Sequence, residues 1–177
     1  CGQARIDWLR GDQSKEDPAG PLRKRTKVHG DVISSSPVYV KSTNTVYVGA
    51  NEGLLHAIDA ATGNELFTFL PNALFPKLYK LTQPAYAHDY YVDGGIAVTT
   101  NFETPGKNIL VGTLGRGGKS LYALDVTSPA SFDATKVLWE YTDSDLGLVL
   151  GEPVIAKMNN GKAAVIVGNG YNSATER

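Results

Sequence analysis

Between Thr45 and Phe67 the apolar residues come in short bursts, TVYVGA, LHAID and ELF, separated by the polar breaks NEG and AATGN. Alternation with period two over four to seven residues, bounded by Gly, Asn and Asp, predicts antiparallel strands joined by tight turns. The order then recurs. Asn108 to Thr113 (NILVGT) leads to Leu121 to Asp125 (LYALD) and on to Leu138-Trp139, and Ala163 to Asn169 (AAVIVGN) opens another copy. A short apolar strand precedes each of them, at Ser36 to Val40, Gly95 to Val98 and Glu152 to Ile155. A four-stranded unit cannot bury both of its faces by itself, so such units have to stack, and four-stranded sheets set around an axis make a β-propeller. The expected fold class is all-β, a partial β-propeller with two complete units and the start of a third, because a closed ring takes at least about four blades.

The connections carry their own logic. Asp59 can accept hydrogen bonds from amides two and three residues on, and Gly63 can supply the positive φ that returns the chain, so Asp59 is a turn former. Asp125, at the end of the matching strand, is read the same way. The stretch from Pro71 to Asp93 is too long for a blade turn; Leu74, Leu78 and Leu81 fall at helical spacing and Pro76 suits a first helical turn, which predicts a short surface helix in an insertion at 72–93. Residues 1–29 form a lead-in segment and 30–177 the blades.

Composition adds limits. With 42% hydrophobic and 20% charged residues and a net charge of -1, the chain is globular and gives no electrostatic reason to expect nucleic acid or an anionic membrane as partner. A core burying about 70% of the unfolded chain's surface needs no disulfide or metal staple. No apolar run of about 18 residues is present, so no transmembrane helix is expected. Opening on Cys1 fits a lipid-anchored mature terminus, whereas a far end that stops within a repeat favours a piece of something longer, the preferred reading.

Sites with chemistry are scarce in this pattern. Gly112 to Ser120 has the look of a phosphate loop, but Thr113 stands where the Walker spacing needs glycine and LYALDV continues as a strand rather than a helix, so a mobile glycine-rich hairpin loop is expected. His29, His56 and His88 lack metal-ligand spacing; His56 aligns with Tyr122 in the repeat and is read as a packing position between blades, the other two as loop residues. Asp143-Ser144-Asp145 begins like a calcium loop but lacks the later glycine and closing carboxylate, and is read as a solvated turn. The basic run Arg23 to Lys27 is read as a solvated loop. No catalytic, cofactor-binding or metal-binding residue is assigned. Arg10-Gly11-Asp12 spells an integrin-type tripeptide, with the plainer alternative that Trp8 and Leu9 anchor a packed terminus and Gly11-Asp12 make a turn.

Longer strings carry a resemblance. WLRGDQS (8 to 14), GDVISSSPVYV (30 to 40), VYVGANEGLLHAIDAATGNELFTFLPNALF (46 to 75), YAHDYYVDG (86 to 94) and LGEPVIAKMNNGKAAVIVGNGYNS (146 to 173) closely resemble the C-terminal propeller of the PilY family, also called PilC, of type IV pilus biogenesis factors and tip-associated adhesins. The resemblance covers nearly the whole chain in consistent order, and the repeat is similar to that of quinoproteins. It implies a modified propeller, seven-bladed in the full protein. The whole would be a secreted or surface protein at the pilus tip and outer membrane of a Gram-negative bacterium. It would support pilus extension against retraction, twitching motility and surface or host-cell attachment, and hence virulence. Pilins and minor pilins, and a host integrin or other receptor through Arg10, Gly11 and Asp12, are the implied partners. Calcium is implied for the full-length protein at an acidic loop lying beyond residue 177. Two other readings stay open on the repeat alone: a dehydrogenase with a quinone cofactor, and a scaffold lipoprotein of outer-membrane assembly.

Overall fold

The computed structural model describes residues 2–174. Helix α1 (Gly2–Leu9) opens the chain. Strands β1 (Val38–Val40), β2 (Thr45–Gly49), β3 (Leu55–Asp59) and β4 (Glu65–Phe69) form one four-stranded sheet. Strands β5 (Ile96–Val98), β6 (Ile109–Thr113), β7 (Leu121–Asp125) and β8 (Val137–Tyr141) form a second, and β9 (Val154–Lys157) pairs with β10 (Ala163–Ile166) in a third. Within each sheet neighbours in sequence are neighbours in space and every pairing is antiparallel. β1 lies beside β5 and β5 beside β9, so the first strands of successive sheets face one another as the inner strands of propeller blades do.

The two full blades match down to their defects. β3 and β4 slip register between Ala57 and Ile58, and β7 and β8 slip at the corresponding Ala123 and Leu124. Such a bulge bends the outer strand and increases its twist, which a blade on a circular platform requires. Each ladder is also extended by one bond at the same place, Ala60 N–H to Asn44 O at 2.9 Å and Val126 N–H to Asn108 O at 2.8 Å. The Asp59 carboxylate accepts from the amides of Ala61 (2.7 Å) and Thr62 (3.2 Å), with Gly63 at φ +74°, as the turn chemistry predicts. Asp125 accepts from the Thr127 amide and hydroxyl.

One apolar core runs through the lead-in segment, the insertion and both blades, from Trp8 through Tyr47, Leu55, Tyr91 and Leu110 to Tyr122. Leu74, Leu78 and Leu81 are all buried in it. The helical spacing of those leucines is real, but the segment is not one helix: a 3-10 turn (Asn72–Leu74), a single α turn α2 (Phe75–Leu78) with Pro76 in its first turn, and a second 3-10 turn (Tyr79–Thr82) follow one another. Three sequence expectations change. Residues 2–9, for which the lead-in reading gave no element, are helical. The Gly112–Ser120 connection is a hairpin loop, but Gly115 and Gly117 are buried, and Gly117 presses on the backbone of Tyr91 where no side chain would fit. The basic run is not wholly solvated: Arg25 is buried, its Nε 2.7 Å from Glu16 and its guanidinium 3.6 Å above the centre of the Trp8 ring.

Candidate functional site

A group of titratable side chains lies where the lead-in segment meets the first blade. The turn from Ala50 to Leu54 joins β2 to β3, closed by Ala50 N–H to Leu54 O at 3.0 Å with Gly53 at φ +102°. It is tied down from both sides: the Asn51 amide donates to Asp31 O (3.0 Å), and the Asn51 Oδ1 accepts from the Tyr91 amide (2.9 Å). Glu52 is thereby fixed at the blade edge. Gly30 lies so close to it that a Cβ there would collide with the Glu52 amide and carboxylate.

His56 follows on β3, opposite Val48 and Thr68. In the second blade Tyr122 holds the same place, opposite Gly112 and Glu140, and packs against Phe69 of the first blade with ring centres 5.1 Å apart. His56 is thus in an inter-blade packing position, as the repeat predicts, but here the lead-in segment fills the preceding blade's side. His56 is buried between two carboxylates: Nε2 lies 2.6 Å from Glu52 Oε1 and Nδ1 lies 2.6 Å from Glu65 Oε2. Burial works against protonation of its ring, yet the Glu52 and Glu65 contacts outweigh it and hold its pKa above the ordinary histidine value. His29 Nδ1 approaches Glu52 Oε1 to 3.8 Å, and its ring meets that of His56 edge-on at 5.1 Å between centres. One ligand atom from each of His29, Glu52 and His56 lies within 4.8 Å of the others. The cluster opens on a cavity of about 640 Å³ lined also by Arg10, Thr68 and apolar residues such as Ile6, Leu9, Val28 and Leu78.

Spacing could not have found this group, since His29 and residues 52 to 56 are brought together only by the packing of the lead-in against β3. The remaining histidine, His88, pairs with Asp31 at 2.9 Å on the surface.

The tripeptide sits close by. Arg10 lines the same cavity. The chain leaves α1 through bonds from the amides of Arg10, Gly11 and Asp12 back to Ile6, Trp8 and Asp7, and Gly11 takes φ +104°, which favours glycine. Trp8 is buried and its indole N–H donates to Arg23 O at 3.0 Å. Arg10 and Asp12 are exposed, but the Asp12 carboxylate accepts from the Ser14 amide (2.7 Å) and hydroxyl (3.0 Å), and these bonds hold its pKa below the ordinary carboxylate value. Asp143 is a turn former too, accepting from the Asp145 amide at 2.8 Å.

Comparison with known proteins decides the family. The model of the PilY1 beta-propeller domain matches residues 27–176. The chain belongs to the PilY1 β-propeller family. A type IV pilus biogenesis factor PilY1 homolog of Xylella fastidiosa strain Temecula1 is 41% identical, covering 97% of this chain and 16% of its own length. Type IV pilus biogenesis factor PilY1 of Pseudomonas aeruginosa strain PAK is 40% identical over 99% of this chain and 18% of its own length. The chain therefore spans less than a fifth of those relatives, which are named as pilus biogenesis factors and not as enzymes. The crystal structure of the Pseudomonas aeruginosa PilY1 C-terminal domain aligns with a TM-score of 0.57 at 43% identity, covering 74% of this chain and 25% of that one. The partial propeller read from the repeat is the PilY1 propeller fold. Among the described residues no helix is long and apolar enough to cross a membrane.

Proposed function

We propose that this chain is a non-enzymatic stretch of propeller in a type IV pilus biogenesis factor, acting by offering loops to the pilus machinery. The observation that carries this reading is the PilY1 propeller match over 27–176, laid on two blades with the same strand order and the same bulge. The full-length protein supports pilus extension against retraction, and with it twitching motility and attachment to surfaces or host cells. Pilins and minor pilins are its partners, and it works outside the cell, at the pilus tip and outer membrane. The exposed Arg10 and Asp12, on either side of the Gly11 turn, support receptor contact through that loop. Calcium is held by the full-length protein at a loop beyond residue 177.

The test is made in the producing bacterium, with residues 30–174 of the full-length protein replaced by a flexible linker. Surface pilin recovered by shearing is expected to fall to background while cellular pilin stays constant, with twitching lost; unchanged piliation overturns the reading. Purified protein given quinone cofactor in a dye-linked alcohol assay is expected to show no turnover, and turnover would favour the dehydrogenase reading.

A further inference from the structure

We propose that His29, Glu52 and His56 bind one divalent transition-metal ion of the zinc type, with Glu65 as the carboxylate that orients His56. The donor set is the first reason. Two imidazoles and one carboxylate suit zinc, nickel or copper, whereas calcium takes oxygen ligands only, so this site is separate from any calcium site in the full-length protein.

Geometry is the second. Around a tetrahedral zinc ion with bonds of about 2.0–2.1 Å, ligand atoms stand about 3.4 Å apart. Here His56 Nε2 and Glu52 Oε1 are 2.6 Å apart and His29 Nδ1 and Glu52 Oε1 are 3.8 Å apart. Seating the ion spreads the first pair by about 0.8 Å and draws the second in by about 0.4 Å, displacements that side-chain torsions absorb. His29 can make that move, because its side chain is 74% exposed.

The third reason is the shell around the ligands. Glu65 accepts from His56 Nδ1 at 2.6 Å, which leaves Nε2 as the ligating nitrogen; this is the arrangement of carboxylate, histidine and metal seen in zinc proteins. The ion then takes the place of the Nε2 proton, which is released to solvent. Glu52 Oε2 is buried with no hydrogen-bond partner, an acceptor oxygen beside Oε1 that a second metal bond or a metal-bound water would satisfy. The cavity beside the cluster admits the ion and a fourth, water ligand. Bound there, the ion would clip the lead-in segment to the first blade. This inference stands on the cluster alone and does not depend on the pilus reading.

The experiment uses the intact protein that contains this chain, stripped with chelator and returned to saturating calcium, then titrated with zinc by calorimetry and filled with cobalt for visible spectroscopy. The parent is expected to take up one zinc more than His29→Ala, and to give a tetrahedral cobalt spectrum that His29→Ala lacks. Glu65→Gln is expected to weaken zinc binding by about tenfold to a hundredfold, and His88→Ala to leave it unchanged. Metal-free melting of each variant is recorded alongside; if His29→Ala is unfolded, Glu65→Gln, altered at an exposed residue, decides. Equal zinc stoichiometry and affinity in the parent and the folded variants, or a folded parent that takes up no zinc beyond its calcium sites, overturns the proposal.

Discussion

Glu16 and Arg25 show how much one pair can ask of its surroundings. Both are buried, and the Glu16 carboxylate receives the Arg25 amide at 2.9 Å and its guanidinium Nε at 2.7 Å. Burial alone would raise the Glu16 pKa, but these bonds overcome it and hold the carboxyl below its ordinary value of 4.5. A carboxylate depressed in the folded state contributes stability in full above that value and loses it as the pH falls through the folded pKa. Glu16→Gln is therefore expected to destabilise the protein by about 3 kcal/mol at neutral pH, because Arg25 is left buried without its counter-charge. The deficit should shrink as the pH is lowered below 4.5. Urea unfolding of parent and variant at a series of pH values measures it, and a gap independent of pH would contradict this account. Asp12 belongs to the same scale but to function: its carboxylate is exposed and bonded only to Ser14, so Asp12→Ala is expected to lower any integrin binding by the full-length protein without changing its melting. Equal binding by the two proteins would remove this loop from the adhesive surface.

Between elements, the two blades are joined at named contacts. Phe67 of β4 stacks on Phe132, in the connection from β7 to β8, with ring centres 3.8 Å apart and planes 6° from parallel. Glu140 of β8 accepts from both the amide and the side chain of Asn72, at 2.8 Å each, and so fastens the start of the insertion to the second blade. Replacing Phe132 by alanine is expected to lower stability by about 2 kcal/mol, less than a full core phenylalanine because both rings are half-exposed. In a double-mutant cycle with Phe67→Ala the coupling should be about 1 kcal/mol. Additive effects would mean that the blades are held together elsewhere.

At the scale of the molecule, the outer faces remain apolar. Leu138, Trp139 and Tyr141 on β8, with Val154 and Ile166 on the third sheet, are exposed, and β10 has pairing on one side only among the described strands. Unpaired edges beside apolar faces drive association. The isolated 177-residue chain is expected to self-associate on size-exclusion chromatography with light scattering. A monomeric, cooperatively melting isolated chain would show that the third sheet folds back to cover them.

Much of this architecture was already present in the order of residues. Strand alternation, the Asp59 and Asp125 turns, and the recurrence of NILVGT after TVYVGA determine the blades, because local turn chemistry and period-two burial act over a few residues and repeat wherever the residues repeat. The long strings shared with the PilY family determined the kinship in the same way. What the tertiary structure alone decided is how unlike pieces meet. Nothing local sets His29 beside Glu52 and His56, since that depends on the lead-in segment occupying the side of the first blade that a preceding blade would otherwise cover. His56 reads as a packing residue from its place in the repeat; the β2–β3 turn and β4 of its own blade supply the two carboxylates, and the lead-in segment supplies the second imidazole.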